Sequence, residues 1–415
     1  MRHPYLLLLL FLFLAGNIGA AHTEVTDTIP PQKRKDPSFL SVNGAGGIVL
    51  PTNKYINEGC LPAYASLSVK YGIYSSGDSW QDIAYGMPYY GVGVYSAQFF
   101  NKRALGNPIS LYLFRGADLY TFNPRLSLKY ELNLGMSFGW KAYDAFDNPD
   151  NIALGSSVNI HVGVNAYLKH RLSDKWDLHY GVGLSHFSNG AYQLPNKGLN
   201  MISPFVELVY NFHGNPIYNG NKKDLTIPPV EKRIDYDFTF TSSSRQIRVD
   251  TVGTGLPSRL LDKNFKVFAF SYATMFVHSY KYKWGPSLDL TYDESSDIKA
   301  WRQFHPEDGV YYDRVKLGNF PKRFSVGISL KGEITYPYMS FFANLGYNLL
   351  HGNKYDYRLY QILGVKAYIK DNIFGTFGIR ANRFSKAQYL YWSIGYTLKG
   401  KPIKKKKSYL DYMLP

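Results

Sequence analysis

The amino-acid sequence predicts an all-β protein, an antiparallel β-barrel closed on itself and spanning a membrane. Three observations carry this. The first is a period-two alternation of apolar and polar residues, repeated run after run from about residue 39. Such a period puts successive side chains on opposite faces of a strand. The second is run length: many runs reach about ten residues, where soluble strands usually have about five or six. The third is a secretory leader. Arg2 precedes a short apolar core, Leu6 to Leu14, and Gly19, Ala20 and Ala21 form a small-residue cleavage site before His22. That core is too short to cross a bilayer, and no other stretch has enough consecutive apolar residues for a transmembrane helix. A membrane protein without helical spans crosses as a closed barrel. The expected location is the outer membrane of a Gram-negative bacterium.

The clearest strand is Arg125 to Lys141. Leu126, Leu128, Tyr130, Leu132, Leu134, Met136, Phe138 and Trp140 share one face, and the other carries charges, Asn, Ser and Gly. A second runs from Val158 to Lys169, and a third from Arg323 to Thr335. Charges and glycines on the polar faces suit a lumen filled with polar side chains and water. The expected order is a leader (1–21), a flexible lead-in (22–38), a first set of about eight strands (39–213), a long charged connection (214–263), about seven more strands (264–398) and a basic tail (399–415). One barrel of about 14–16 strands is the preferred reading, because two barrels would each need their own closure. The alternative is an eight-stranded barrel followed by a second β domain. Val164–Lys169 and Val365–Lys370 echo one another, through common origin of the halves or through the sameness of barrel strands.

Aromatic residues make up 17% of the chain, with 37 Tyr and 26 Phe, which suits a boundary between water and lipid. Cys60 is the one cysteine, so an intramolecular disulfide and a cysteine zinc site are both excluded. The formal charge of +16 points to anionic partners, and export makes these membrane lipids or phosphorylated glycolipid rather than nucleic acid. Lys404 to Lys407 read as a solvated terminus. No cofactor motif or metal cluster stands out, and Asp289, Asp293 and Glu294 read as a charged loop end rather than a cation site.

Chemistry concentrates near residue 186. Trp176, Leu178, Tyr180, Val182 and Leu184 form the apolar face of a strand, and the count carries His186 and Ser188 onto the same lipid-facing side. Polar groups cost free energy there unless paired. A neutral imidazole beside a hydroxyl can take its proton during attack on an ester. Asn189 and Gly190 follow where the strand turns, and an amide side chain or free backbone N–H could hold an oxyanion. The bland reading is an interfacial His and Ser among lipid headgroups.

The string His186-Phe-Ser188-Asn189-Gly190, followed by Pro195-Asn196-Lys-Gly198, resembles the lipid A 3-O-deacylase (PagL) family and relatives described as acyloxyacyl hydrolases, over roughly residues 39–213. The resemblance implies an outer-membrane barrel that cuts an acyl ester of lipid A or lipopolysaccharide, with His186 as base, Ser188 as nucleophile and Asn189 in the oxyanion hole. It also implies an acidic residue fourteen positions after the histidine, where this chain has Asn200. An amide can accept from the ring N–H but supplies no charge to stabilise imidazolium. Glu207, the nearest acid, has the opposite parity and should face the lumen. Arg383-Phe-Ser385-Lys386 echoes the motif without its histidine and is expected to be inert. Two functions remain: a serine esterase, or a channel or structural barrel with an eroded motif.

Overall fold

The computed structural model describes residues 37–51, 63–77, 79–100, 102–214, 226–249, 259–261, 263–353, 356–370, 372–384 and 386–403. The leader with its cleavage site, the lead-in up to residue 36, Cys60, Ser385 and the lysine run at 404–407 lie outside them.

The strands close into two separate barrels of eight. The first holds β1 (Ser38–Val49), β2 (Ala63–Tyr74), β3 (Tyr89–Gln98), β4 (Gly106–Asn123), β5 (Leu126–Trp140), β6 (Asn159–Arg171), β7 (Trp176–Ser188) and β8 (Leu199–Asn211). Each pairs with its neighbour in sequence, and β1 returns to β8 with Phe39 opposite Asn211 and Val49 opposite Met201. The second begins with β9 (Ile234–Arg245). Two short strands follow, β10 (Arg248–Val249) and β11 (Arg259–Leu260), then β12 (Phe265–Val277) and β13 (Tyr282–Asp293). A separate hairpin, β14 (Lys299–His305) and β15 (Val310–Lys316), precedes β16 (Phe324–Thr335), β17 (Met339–His351), β18 (Leu359–Lys370), β19 (Ile373–Asn382) and β20 (Lys386–Lys399). β9 pairs with both β12 and β20 and so closes the ring.

This corrects the expected single barrel of 14–16 strands. The physical reason lies in β9, inside the stretch 214–263 that looked like a connection. Ile234, Tyr236, Phe238 and Phe240 alternate there with Asp235, Asp237, Thr239 and Thr241. Aspartate and a Ser/Thr-rich end resemble a loop, yet the buried Asp237 meets Lys366 at 2.6 Å, Lys331 at 3.1 Å and the Thr397 hydroxyl at 2.7 Å. Lysines across the lumen let acidic residues sit in a strand.

Both interiors are filled, by aromatic side chains packed around buried ion clusters. In the first barrel Lys70 Nζ lies 2.8 Å from Glu131 and 2.9 Å from Glu207, and Ser41 donates to Glu207. The void beside Lys70, Glu131 and His161 is about 40 Å³, room for a few waters at roughly 10–15 Å³ each. In the second, Glu333 joins the Lys331–Lys366–Asp237 group. Asp289 accepts from Ser287 and Ser329, and Asp293 accepts from Arg245, so both are spent on lumen partners. The outward rows are apolar: Val182, Leu184, Leu288 and Leu330 are each about half exposed, ready for lipid.

Asp237→Ala leaves two buried lysines facing Glu333 alone. Removing one member of a buried ion cluster costs about 3–5 kcal/mol. The second barrel of this variant should unfold at lower temperature in detergent, seen as an earlier partial shift in gel mobility. Coincident transitions in parent and variant would contradict this.

Candidate active site

β7 alternates as its sequence requires. Asp177, His179, Gly183 and Phe187 are buried inward, and Tyr180, Val182 and Leu184 face outward. His186 continues the outward row. Register then decides its neighbours: His186 lies directly opposite Asn200 on β8 and Val162 on β6. Asn200 has the outward parity of Ile202, Pro204 and Val206, and Glu207 points inward among Lys70 and Ser41.

The three polar side chains form a hydrogen-bonded chain on the outer wall. His186 Nδ1 is 2.7 Å from Asn200 Oδ1, and Nε2 is 2.9 Å from Ser188 Oγ. An amide oxygen only accepts, so this geometry assigns the ring proton to Nδ1 and leaves the Nε2 lone pair for the Ser188 hydroxyl. Both His186 and Ser188 were expected at the surface. His186 is half-buried, but Ser188 is covered, with 8% exposure, at the point where the strand enters its loop.

That loop is a tight turn. Tyr192 N–H donates to the Asn189 carbonyl at 3.3 Å, and Gly190 and Ala191 both have positive φ, 66° and 62°. Glycine adopts this freely, whereas alanine in the left-handed region costs roughly 1–2 kcal/mol. Asn189 differs from expectation. Its side-chain amide donates to the Gln193 carbonyl at 2.7 Å, and its backbone N–H donates to Asn196 Oδ1 at 3.1 Å. Asn189 therefore braces the loop. The N–H groups of Gly190 and Ala191 donate to no acceptor among the described residues.

A second connection, between β5 and β6, supports this turn. Asn151 Oδ1 accepts from the N–H of Ala153 and Leu154, both at 3.1 Å. The carbonyls of Ile152 and Ala153 then accept from Lys197 and Gly198. Gly198 has φ +75°, and a Cβ there would stand 2.7 Å from His186 Cε1. The backbone thus lies against the imidazole, and no side chain fits between them. These supports escaped sequence reasoning, because nothing local in 141–158 points to residue 198. The echo in the second half cannot be matched to this geometry, since Ser385 lies outside the described residues.

Gly198→Ala forces both backbone and ring to move. A displacement of about 1 Å at such a site can cost about 10²-fold in rate. Any hydrolysis that depends on His186 should fall by that order in this variant with the barrel intact by gel shift, and an unchanged rate would show that Gly198 does not position His186.

Residues 63–208 match the family model described as lipid A 3-O-deacylase (PagL). Residues 234–400 match that described as acyloxyacyl hydrolase, C-terminal domain. The comparison with curated proteins returned no match. Among solved structures, the outer membrane enzyme PagL is 17% identical, covering 40% of this chain and 97% of that one, with a TM-score of 0.28. Neisserial surface protein A (NspA) is 10% identical, covering 42% of this chain and 97% of that one, with a TM-score of 0.29. The two family matches fall one on each barrel and together take in most of the sequence, so the second half has a family assignment that its strands alone did not reveal. Each barrel is thus similar to one model of the same group, the first to the lipid A 3-O-deacylase (PagL) and the second to the acyloxyacyl hydrolase C-terminal domain.

Proposed function

We propose that the protein is a serine esterase that removes an acyl chain from lipid A or a related acylated glycolipid. The observation that carries this is the chain Asn200–His186–Ser188, hydrogen-bonded at 2.7 and 2.9 Å on the lipid-facing wall where β7 meets its loop. A substrate held in the membrane presents its ester at that level with its acyl chains along the wall.

In this reading Ser188 Oγ attacks the ester carbonyl carbon and passes its proton to His186 Nε2. The carbonyl oxygen becomes an oxyanion, for which the Gly190 and Ala191 N–H groups are the candidate donors. The C–O bond to the sugar then breaks, and the leaving alkoxide takes the proton from Nε2. Water attacks the acyl-serine and returns a proton through the same nitrogen, releasing fatty acid and restoring Ser188. Asn200 holds the ring by its Nδ1–H throughout. No metal or cofactor enters the scheme.

One observation favours a second reading, a structural barrel with an eroded site: Asn200 brings no negative charge to the developing imidazolium. A channel is the weaker form of that reading, since both interiors are filled by ion clusters. Purified protein in detergent mixed with lipid A separates the readings. The esterase releases free fatty acid stoichiometrically with deacylated lipid A, and the eroded barrel releases none.

A further inference from the structure

The hairpin β14–β15 pairs with no barrel strand. It rises from the end of the second barrel that carries the long connections 246–264, 294–323 and 352–358, and the turns 278–281, 336–338 and 371–372 lie at the other end. In outer-membrane barrels the long loops face outside. Directly opposed residues of an antiparallel pair share a face, so register sorts the hairpin into two sides. One side has Ala300 opposite Val315, Arg302 opposite Asp313 and Phe304 opposite Tyr311. At its base Ala300 and Val315 pack on Ile247, Val249, Leu261 and Phe265, which fixes the hairpin through this side. Asp313 lies 3.9 Å from Arg302 on the same side.

The other side has Lys299 opposite Lys316 and Trp301 opposite Arg314, then Gln303 opposite Tyr312. Lys299, Trp301, Tyr312, Arg314 and Lys316 are all exposed. Gln303 Oε1 accepts from Arg314 Nε at 2.9 Å. No carboxylate pairs with Lys299, Arg314 or Lys316 among the described residues. Like charges directly opposed destabilise a strand pair, so three cations gathered on one exposed face are a standing cost that a bound anion removes. The exposed ring of Trp301 adds a surface for the C–H side of a sugar ring, and Tyr312, whose hydroxyl donates to Asp308 at 2.9 Å, stands on the same side.

We propose that this face binds the phosphorylated sugar headgroup of a glycolipid at the outer surface of the membrane. The lysines and Arg314 meet the phosphate, and Trp301 with Tyr312 meets the sugar. Ser188 belongs to the first barrel and the hairpin to the second, and the proposal rests on outer-membrane placement rather than on the esterase reading.

The test is calorimetric titration of the full-length protein in detergent with an acyl-free glucosamine disaccharide bisphosphate, which has no ester for Ser188. The parent should bind saturably, and the same disaccharide without phosphates should not bind. Lys299→Glu combined with Lys316→Glu, and separately Trp301→Ala, should each weaken binding about tenfold or more, with both barrels intact by gel shift. Ser188→Ala should bind as the parent does. The proposal is overturned if the parent shows no saturable binding, if the hairpin variants bind like the parent, if Ser188→Ala loses binding, or if inorganic phosphate displaces the disaccharide at equal concentration.

Discussion

Ser188→Ala should eliminate the proposed ester hydrolysis and leave both barrels folded. The change removes one oxygen from a covered position at the end of β7 and opens no appreciable cavity, so stability should move little. Chemistry should move greatly, because the hydroxyl 2.9 Å from His186 Nε2 is the proposed nucleophile. In serine hydrolases, loss of either the nucleophile or its base costs about 10⁶-fold, and the two act as a unit. His186→Ala should therefore match Ser188→Ala, and the double variant should be no worse. Fatty acid release from lipid A in detergent measures this, with heat-shifted gel mobility as the folding control. Activity that survives Ser188→Ala means that another group attacks the ester.

Asn200→Glu should raise turnover. Asn200 stands directly across from His186, and its Oδ1 already holds Nδ1 at 2.7 Å. A carboxylate there would add the charge that stabilises imidazolium, an effect of up to about 10⁴-fold in a serine protease triad. A carboxylate near lipid carries a desolvation cost, so the gain should be smaller than that limit. Asn200→Ala removes the acceptor and should lower turnover by letting the ring rotate. Initial rates with lipid A decide the matter: identical rates for parent, Glu and Ala variants mean that position 200 does not orient the histidine.

Much of this site was legible in the sequence because parity in a strand is a local property. Counting by twos from Trp176 placed His186 outward, parity against Ile202 and Val206 in the next strand placed Glu207 inward, and the structure has both so. The same counting found β5, β6 and β16. It did not find the closure. Alternation reads the same in one barrel as in two, and which strand returns to β1 is decided by long-range pairing with β8. β9 was missed because its acids match a loop until Lys331 and Lys366 are set opposite them. Asn189 was read as an oxyanion donor because its position after Ser188 invites it, whereas Gln193 and Asn196 already occupy its groups. The contact of Gly198 with the imidazole depends on the β5–β6 connection, and no spacing rule reaches that far.

The central claim is that the Asn200–His186–Ser188 chain cuts an acyl ester of the outer-membrane glycolipid. Mass spectrometry of lipid A from three otherwise identical cell populations tests it most directly: one without the protein, one with the parent and one with Ser188→Ala. Only the parent should yield lipid A lighter by one acyl chain, with the variant population matching the cells that lack the protein. Lipid A of unchanged mass in the presence of folded parent protein, or an equal loss with Ser188→Ala, would contradict it.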